Sequence, residues 1–374
     1  MEDYFFFLGR NTELSLQEVI SFLEARGIEG KYEIQGNMVM FSLAEELDAD
    51  YAINTLGGTI KIGKAMFKET SEKKFSDMIR QANLYDGVED KLKFTITFNE
   101  EIEEISQDIK GIIDDYFKEQ RVKAFYKQSK ESPKWSRKFD LEFFAIKFGN
   151  NYYFGKIDAV YDTKNAEFRD MKKPFRRSEL AISPRIAKIL INLSEAVEGN
   201  TVLDPFCGMG TILQESLLLG INAIGMDIDS GVVENCKRNL SWLTDNYKLN
   251  AKVNVFCASS LNVSKILKEK VDAIVTEPFL IPLITYTPKE KPARKMLAMA
   301  RNTYTSTLIE LKKILKDDGR IAISLPVMKT RTNKERVNIE MICEEIGLKI
   351  IAGPFSESRE GQRVEREIVV LGKY

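Results

Sequence analysis

The 374-residue sequence contains no histidine. That absence removes Ser-His and Cys-His nucleophilic systems and any zinc site built on imidazole, so proton handling falls to carboxylates, amides, Tyr and Lys. Cysteine is scarce too. The four, Cys207, Cys236, Cys257 and Cys343, show no CxxC spacing, which suits small buried residues better than metal or redox ligands. No apolar run approaches the about 18 residues that span a bilayer, and the acidic, Phe-rich start lacks the basic region of a signal peptide. A soluble, cytoplasmic protein with neither membrane segment nor metal is expected. Excess charge of one sign is also missing: net charge is −1 and the pI about 6.0, so any nucleic-acid surface must be local. What is present, 44% hydrophobic and 30% charged residues, fits a globular chain of two or three domains.

Residues 168–184 divide the sequence. Upstream, short strands alternate with helical patterns: strands at 4–8, 38–41, 60–62, 92–98 and 122–126, a turn at Gly57-Gly58, and helices at 75–82 and 102–117. Asn11 can cap a helix whose apolar face is Leu14, Val19, Phe22 and Leu23. The strands 141–148 and 152–157 flank Gly149-Asn-Asn151 as a hairpin. Helices among hairpins predict α+β modules. Downstream the alternation is strict, with strands at 201–205, 222–228, 252–257, 271–277, 320–326, 348–353 and 365–372. The link 356–364 is too short for a crossover helix, so the last strand should pair antiparallel with the sixth. This describes a doubly wound sheet whose ligand sits beyond the carboxyl ends of its first, second and fourth strands.

Asp204-Pro-Phe-Cys-Gly-Met-Gly-Thr211 places a carboxylate at the mouth of a glycine-rich turn between an apolar strand and a helical run. A phosphate loop relies on backbone N–H groups and a helix N-terminus, and an Asp there would repel the ligand. S-adenosylmethionine carries a sulfonium and an amino group instead, and suits an acidic pocket where Gly208 and Gly210 let the backbone approach. Asp204 is then the anchor for the methionine amino end, with Pro205, Phe206 and Thr211 in the same loop. Asp227, followed by Ile228, ends the next strand about 23 residues on, the spacing at which an acidic residue accepts both ribose hydroxyls. The helix N-cap is assigned to Asp229.

On these residues the C-terminal half resembles a class I S-adenosylmethionine-dependent methyltransferase, and residues 204–211 resemble the first motif of the RNA guanosine-N2 methyltransferases. The upstream half resembles, in pattern and domain order, the ferredoxin-like domain plus THUMP module of archaeal and eukaryal tRNA guanosine-N2 methyltransferases. The resemblance implies a ferredoxin-like module at 1–68, a THUMP-like RNA-binding module at 69–165, a linker at 166–184 and a Rossmann-like α/β methyltransferase domain with a seven-stranded sheet at 185–374. It also implies S-adenosylmethionine as cofactor and guanine N2 of tRNA as target.

Two departures stand out. Related enzymes place an Asp near Ser259 to accept from the adenine amino group, so a Ser has to substitute here. Enzymes that methylate exocyclic amines show Asp or Asn, Pro, Pro, then Tyr or Phe after the fourth strand. This sequence reads Thr276-Glu-Pro-Phe279: Pro278 and Phe279 match, Thr276 replaces the acid or amide, and Glu277 replaces the first Pro. An aryl amine is a poor nucleophile, and an oxygen that accepts its hydrogens favours the pyramidal, positively charged transition state while the aromatic stacks on the base. Either Glu277 has taken over as acceptor or the site binds without catalysing. No cysteine lies in the segment, which argues against carbon-5 pyrimidine methylation.

Basic residues cluster at 118–138, where Arg121, Lys123, Lys127, Lys130, Lys134 and Arg137 alternate with Phe125, Tyr126 and Trp135, and at 169–177, with Arg169, Lys172, Lys173, Arg176 and Arg177. The second cluster lies in a domain connection, where a substrate groove would form. The helical run 288–315 carries Lys289, Lys291, Arg294 and Lys295, and Arg359, Arg363 and Arg366 decorate the link between the last two strands. RNA contact and a plain solvated face are both open for these. The expected partner is tRNA or other structured RNA. DNA adenine-N6 or cytosine-N4 methylation, a non-catalytic RNA-binding protein on a decayed methyltransferase fold, an accessory subunit and a monomeric state all remain open.

Overall fold

The computed structural model describes residues 1–127, 139–176, 182–278, 286–358 and 364–374. The chain forms two compact units, one of residues 1–12, 28–54 and 59–165, the other of 13–27, 55–58 and 166–374. Among the described residues no helix is long and apolar enough to cross a membrane, and no cluster of acidic and cysteine side chains could hold a metal.

The first unit contains β1 (Glu2–Leu8), β2 (Gly30–Gln35), β3 (Met38–Leu43), β4 (Thr59–Glu69), β5 (Lys91–Phe98), β6 (Lys123–Tyr126), β7 (Leu141–Phe148) and β8 (Asn151–Val160). They make one sheet in the order β2-β3-β1-β4-β8-β7-β5-β6. Helix α1 (Thr12–Glu24) follows β1 in the chain, and α2 (Ala49–Thr55), α3 (Glu72–Gln81) and α4 (Ser106–Glu119) follow in turn. Alternation along β7 and β8 separates two cores. Phe143, Ala145 and Phe154 pack with Phe75 and Ile79 of α3 and Ile109, Ile113 and Phe117 of α4, whereas Phe144, Ile146, Phe148 and Tyr153 pack with Phe5, Phe7, Met38 and Met40. The sheet is mixed, with β5 parallel to β6 and β7 and the other pairs antiparallel. A border at 68/69 would cut a continuous sheet, because β4 pairs with β8 from Lys61 opposite Val160 to Glu69 opposite Tyr152.

The second unit continues through α5 (Thr163–Lys172), α6 (Pro184–Leu193), β9 (Thr201–Asp204), α7 (Thr211–Leu218), β10 (Asn222–Asp227), α8 (Ser230–Asn246), β11 (Val253–Cys257), α9 (Val263–Ile266), β12 (Val271–Thr276), α10 (Glu290–Ile314), β13 (Leu315–Lys329), β14 (Lys334–Arg336), α11 (Ile339–Ile346), β15 (Leu348–Glu357) and β16 (Val364–Lys373). The sheet order is β11-β10-β9-β12-β13-β16-β15, with β14 as a hairpin partner of β13. Strands β9 to β13 run parallel, and β16 inserts antiparallel between β13 and β15. The expected doubly wound sheet with an antiparallel last strand is present, and the strand order reverses between β9 and β12, the point beyond whose carboxyl ends sheets of this kind bind ligands.

Helix α1 belongs to the second unit, although it lies near the start of the chain. Leu14 packs among Ile186, Leu190 and Ile212. The fully buried Glu18 carboxylate accepts from Gly57 N (2.7 Å), Gly58 N (2.7 Å) and Asn192 Nδ2 (2.8 Å). The paired glycines are required by contact: a Cβ on Gly57 would lie 2.1 Å from the Arg185 carbonyl oxygen, and one on Gly58 2.5 Å from Ser15 Oγ. Residues 166–176 are likewise tied into this unit rather than forming a spacer. Arg169 forks onto Glu215 of α7 with two bonds of 2.9 Å.

Candidate active site

Strand β9 ends on Asp204, which is 2% exposed. Its Oδ1 accepts from the Thr276 hydroxyl at 2.7 Å and from Phe206 N at 3.1 Å. Burial pushes its carboxyl up to about 7. The two hydrogen bonds oppose that shift, and the neighbouring negative charges of Asp227 and Glu277 add to it. The turn then passes through Gly208 and Gly210, both in the left-handed region (φ 49° and 85°). At Gly210 a Cβ would meet Cys236 Sγ at 2.7 Å, so the residue is needed for packing. At Gly208 the nearest atom to a Cβ would be 4.0 Å away, so the turn faces open space there. Pro205 is buried, Phe206 is half-buried, and the buried Thr211 accepts from Lys173 Nζ at 3.1 Å.

Asp227, half-buried at the end of β10, braces this turn. Its Oδ2 accepts from Gly208 N at 3.2 Å and its Oδ1 from Asp229 N at 3.0 Å. Asp229 caps α8 by accepting from Gly231 N and Val232 N, as expected. Ile228 is 76% exposed, an apolar surface beside Asp227. Ser259 lies two residues beyond β11 and accepts from Leu261 N at 3.3 Å, leaving its own proton and a second lone pair for a ligand. The set suits S-adenosylmethionine: a glycine turn open at Gly208, carboxylates for an amino group and ribose hydroxyls, and an apolar face for adenine.

The fourth-strand segment differs from expectation in two ways. Thr276 is fully buried and its hydroxyl is committed to Asp204, so its place as a catalytic acceptor is corrected to a strut between β12 and β9. Glu277, the first residue beyond β12, forms an ion pair with Arg366 Nε of β16 and accepts from the Ser324 hydroxyl of β13 at 3.3 Å. Arg366 is therefore in the strand and engaged with Glu277, not in a link available to RNA. Pro278 is buried and its carbonyl accepts from the Tyr304 hydroxyl of α10 at 3.0 Å. Phe279 lies outside the described residues. Ser324 and Tyr304 carried no sequence signal, because neither belongs to a motif and both reach the site through the sheet and α10.

The basic residues divide sharply. Arg169 and Lys173 are 6% and 4% exposed, held by Glu215 and by Thr211 with Asp170, and this corrects their reading as RNA contacts. The spacing i, i+4 on and just past α5 turns both inward. Lys172 and Arg176 are exposed, as are Lys123 and Lys127 on and next to β6. On that strand Lys123, Phe125 and Lys127 share one face, and Lys91 and Lys93 of β5 stand opposite Lys123 and Phe125. Lys91 Nζ lies 5.7 Å from the Phe125 ring centre. Lys289, Lys291 and Lys295 are exposed, and Arg294 pairs with Glu335. Lys130, Lys134, Trp135, Arg137, Arg177, Arg359 and Arg363 lie outside the described residues.

Comparison with known proteins points the same way as the geometry. A family model described as an RMKL-like methyltransferase domain matches residues 173–334, and one described as DNA methylase matches 40–238. The chain is similar to the tRNA (guanine(10)-N2)-dimethyltransferase of Methanothermobacter thermautotrophicus, at 40% identity over 29% of this chain and 30% of that protein. It is also similar to those of Methanocaldococcus jannaschii (31% identity, 46% of each) and Pyrococcus abyssi (30% identity, 51% of each). The chain thus spans at most about half the length of these relatives. Among solved structures, TrmN from Thermus thermophilus aligns over the whole of both chains with a TM-score of 0.53 at 14% identity, a likeness of fold alone.

Proposed function

The chain belongs to the class I S-adenosylmethionine-dependent methyltransferases, and from that premise we propose that it methylates the exocyclic N2 of guanine in tRNA, the activity for which its curated relatives are named. The bound cofactor supplies an electrophilic methyl group on a sulfonium. Asp204 would hold its amino group, Asp227 its ribose hydroxyls, and Ile228 with Ser259 its adenine.

The single observation that carries the reading is the Glu277 carboxylate at the open end of β12, beside the Asp204 turn. A carboxylate there accepts a hydrogen of the aryl amine, draws its lone pair out of the ring system and takes up part of the positive charge that develops on nitrogen. The Pro278 carbonyl keeps one lone pair beyond its bond from Tyr304 and can accept the second hydrogen.

The first unit serves RNA in this reading, as ferredoxin-like and THUMP-like modules. Its support is the exposed stripe of Lys91, Lys93, Lys123 and Lys127 around Phe125, since phosphates need cations and unstacked bases need an aromatic face. Lys172 and Arg176 add exposed charge in the second unit. The DNA methylase match favours amine methylation of DNA as a second reading. Incubation with labelled S-adenosylmethionine and either unmodified tRNA transcript or duplex DNA, followed by mass-spectrometric nucleoside analysis, separates the two. N2-methylguanosine in tRNA is expected. Methylated adenine or cytosine in DNA selects the second reading, and no methyl group in either substrate overturns both.

A further inference from the structure

We infer that Arg366 is a positioning residue of the methyl-transfer site, holding the Glu277 carboxylate turned so that one of its oxygens is left for the substrate amine. This rests on the reading of Glu277 as the acceptor. Arg366 lies in β16, opposite Pro326 of β13 and Glu357 of β15. Its chain neighbours Glu365 and Glu367 point to the other face and have their own cations, Lys329 and Lys334 for the first and Arg336 for the second. Arg366 is thus not drawn away by them. Its Nε and the Ser324 hydroxyl converge on the same oxygen, Oε1 of Glu277, so that both fixed donors load one side of the carboxylate.

The pair is largely out of water, with side-chain exposures of 11% for Glu277 and 19% for Arg366. A pair so shielded keeps one geometry, unlike a surface bridge that exchanges with solvent. The need for a cation is local. Asp204, Asp227 and Glu277 gather at one end of the sheet, where burial raises the Asp204 carboxyl and the negative charges of the other two add to that shift. Arg366 supplies a cation at that acidic end and fixes the Glu277 carboxylate by an ion pair.

The test is steady-state methyl transfer to unmodified tRNA transcript by the full chain carrying Arg366→Met or Arg366→Lys, each with and without Glu277→Gln, with cofactor binding followed by calorimetry. Arg366→Met is expected to lower kcat by about tenfold to a hundredfold, with the KM for tRNA and the cofactor affinity unchanged. Arg366→Lys should recover most of the loss. In the Glu277→Gln background Arg366→Met should cost little, because a neutral amide forms no ion pair for Arg366 to orient. Full kcat in Arg366→Met, equal losses in both backgrounds, or loss of cofactor binding would each overturn the inference while the proposed function stands. A wild type that methylates no guanosine overturns the proposed function, and this inference with it.

Discussion

The two basic stretches, 118–127 and 169–176, look alike as sequence, but in the fold Arg169 and Lys173 of the second are buried while Lys123 and Lys127 of the first are exposed. In the first unit Lys123 and Lys127 stand in solvent around an exposed Phe125. In the second, Arg169 and Lys173 are buried, with Arg169 forked onto Glu215 and Lys173 bonded to the first residue of α7. A buried cation is tolerated only when its partner and geometry are supplied, so Arg169 works for the fold, whereas Lys123 is free to serve a ligand. The lesson is that a run of cations marks a surface only where the helix or strand period turns it outward.

The largest effect tests the buried side of this contrast. Arg169→Ala should destabilise the protein by about 3–5 kcal/mol, because the buried Glu215 loses both of its guanidinium hydrogen bonds and keeps only the nearby charge of Lys188. Chemical denaturation reads this, and joint replacement of Arg169 and Glu215 by apolar residues of similar size should recover much of it. Unchanged stability with weakened tRNA binding would reverse the contrast.

Next in size is the buried charge turned to chemistry. Glu277→Ala should lower turnover by on the order of a hundredfold, whereas Glu277→Gln should keep some activity, since an amide oxygen still accepts. Cofactor affinity should barely change in either variant, measured by calorimetry. Equal turnover in wild type and Glu277→Ala would place Glu277 with Arg169 as a structural charge.

Asp204 sharpens the comparison through pH. With its carboxyl raised from 3.8 to about 7, the folded protein holds a proton that the unfolded chain releases, so this group's contribution to stability falls as pH rises through that window. Cofactor binding runs the other way. A ligand ammonium needs the charged carboxylate, so affinity should rise toward pH ~7 by up to about tenfold per unit and then level, and Asp204→Asn should flatten the curve. Calorimetry from pH ~5.5 to ~7.5 checks it. An identical slope in Asp204→Asn would assign the titration elsewhere.

The smallest effect belongs to the exposed side. Replacing Lys123 and Lys127 by Ala should leave stability unchanged, weaken tRNA binding a few-fold and lower its salt dependence by about one unit of log–log slope per lysine. Binding measured across a salt series decides this. No change in slope would mean that these cations are solvated only.

Sequence alone determined the doubly wound sheet, the glycine turn at 208–210, the Asp204 and Asp227 pair and the Asp229 cap, because each depends on local periodicity or on residues within one strand–turn–helix unit. Tertiary structure decided the rest. Arg366 reaches Glu277 across β13, Tyr304 reaches the Pro278 carbonyl from α10, and Thr276 turns out to serve Asp204. Helix α1 showed its apolar face at Leu14, Val19, Phe22 and Leu23, but nothing local told which core that face would enter. It joins the second unit because Glu18 finds its donors at Gly57, Gly58 and Asn192, far along the chain. The same holds for residues 166–176, whose cations signal solvent until Glu215 and Thr211 come beside them. Charge and hydrogen-bond matching depend on which groups approach in space, and no periodicity in the sequence records that.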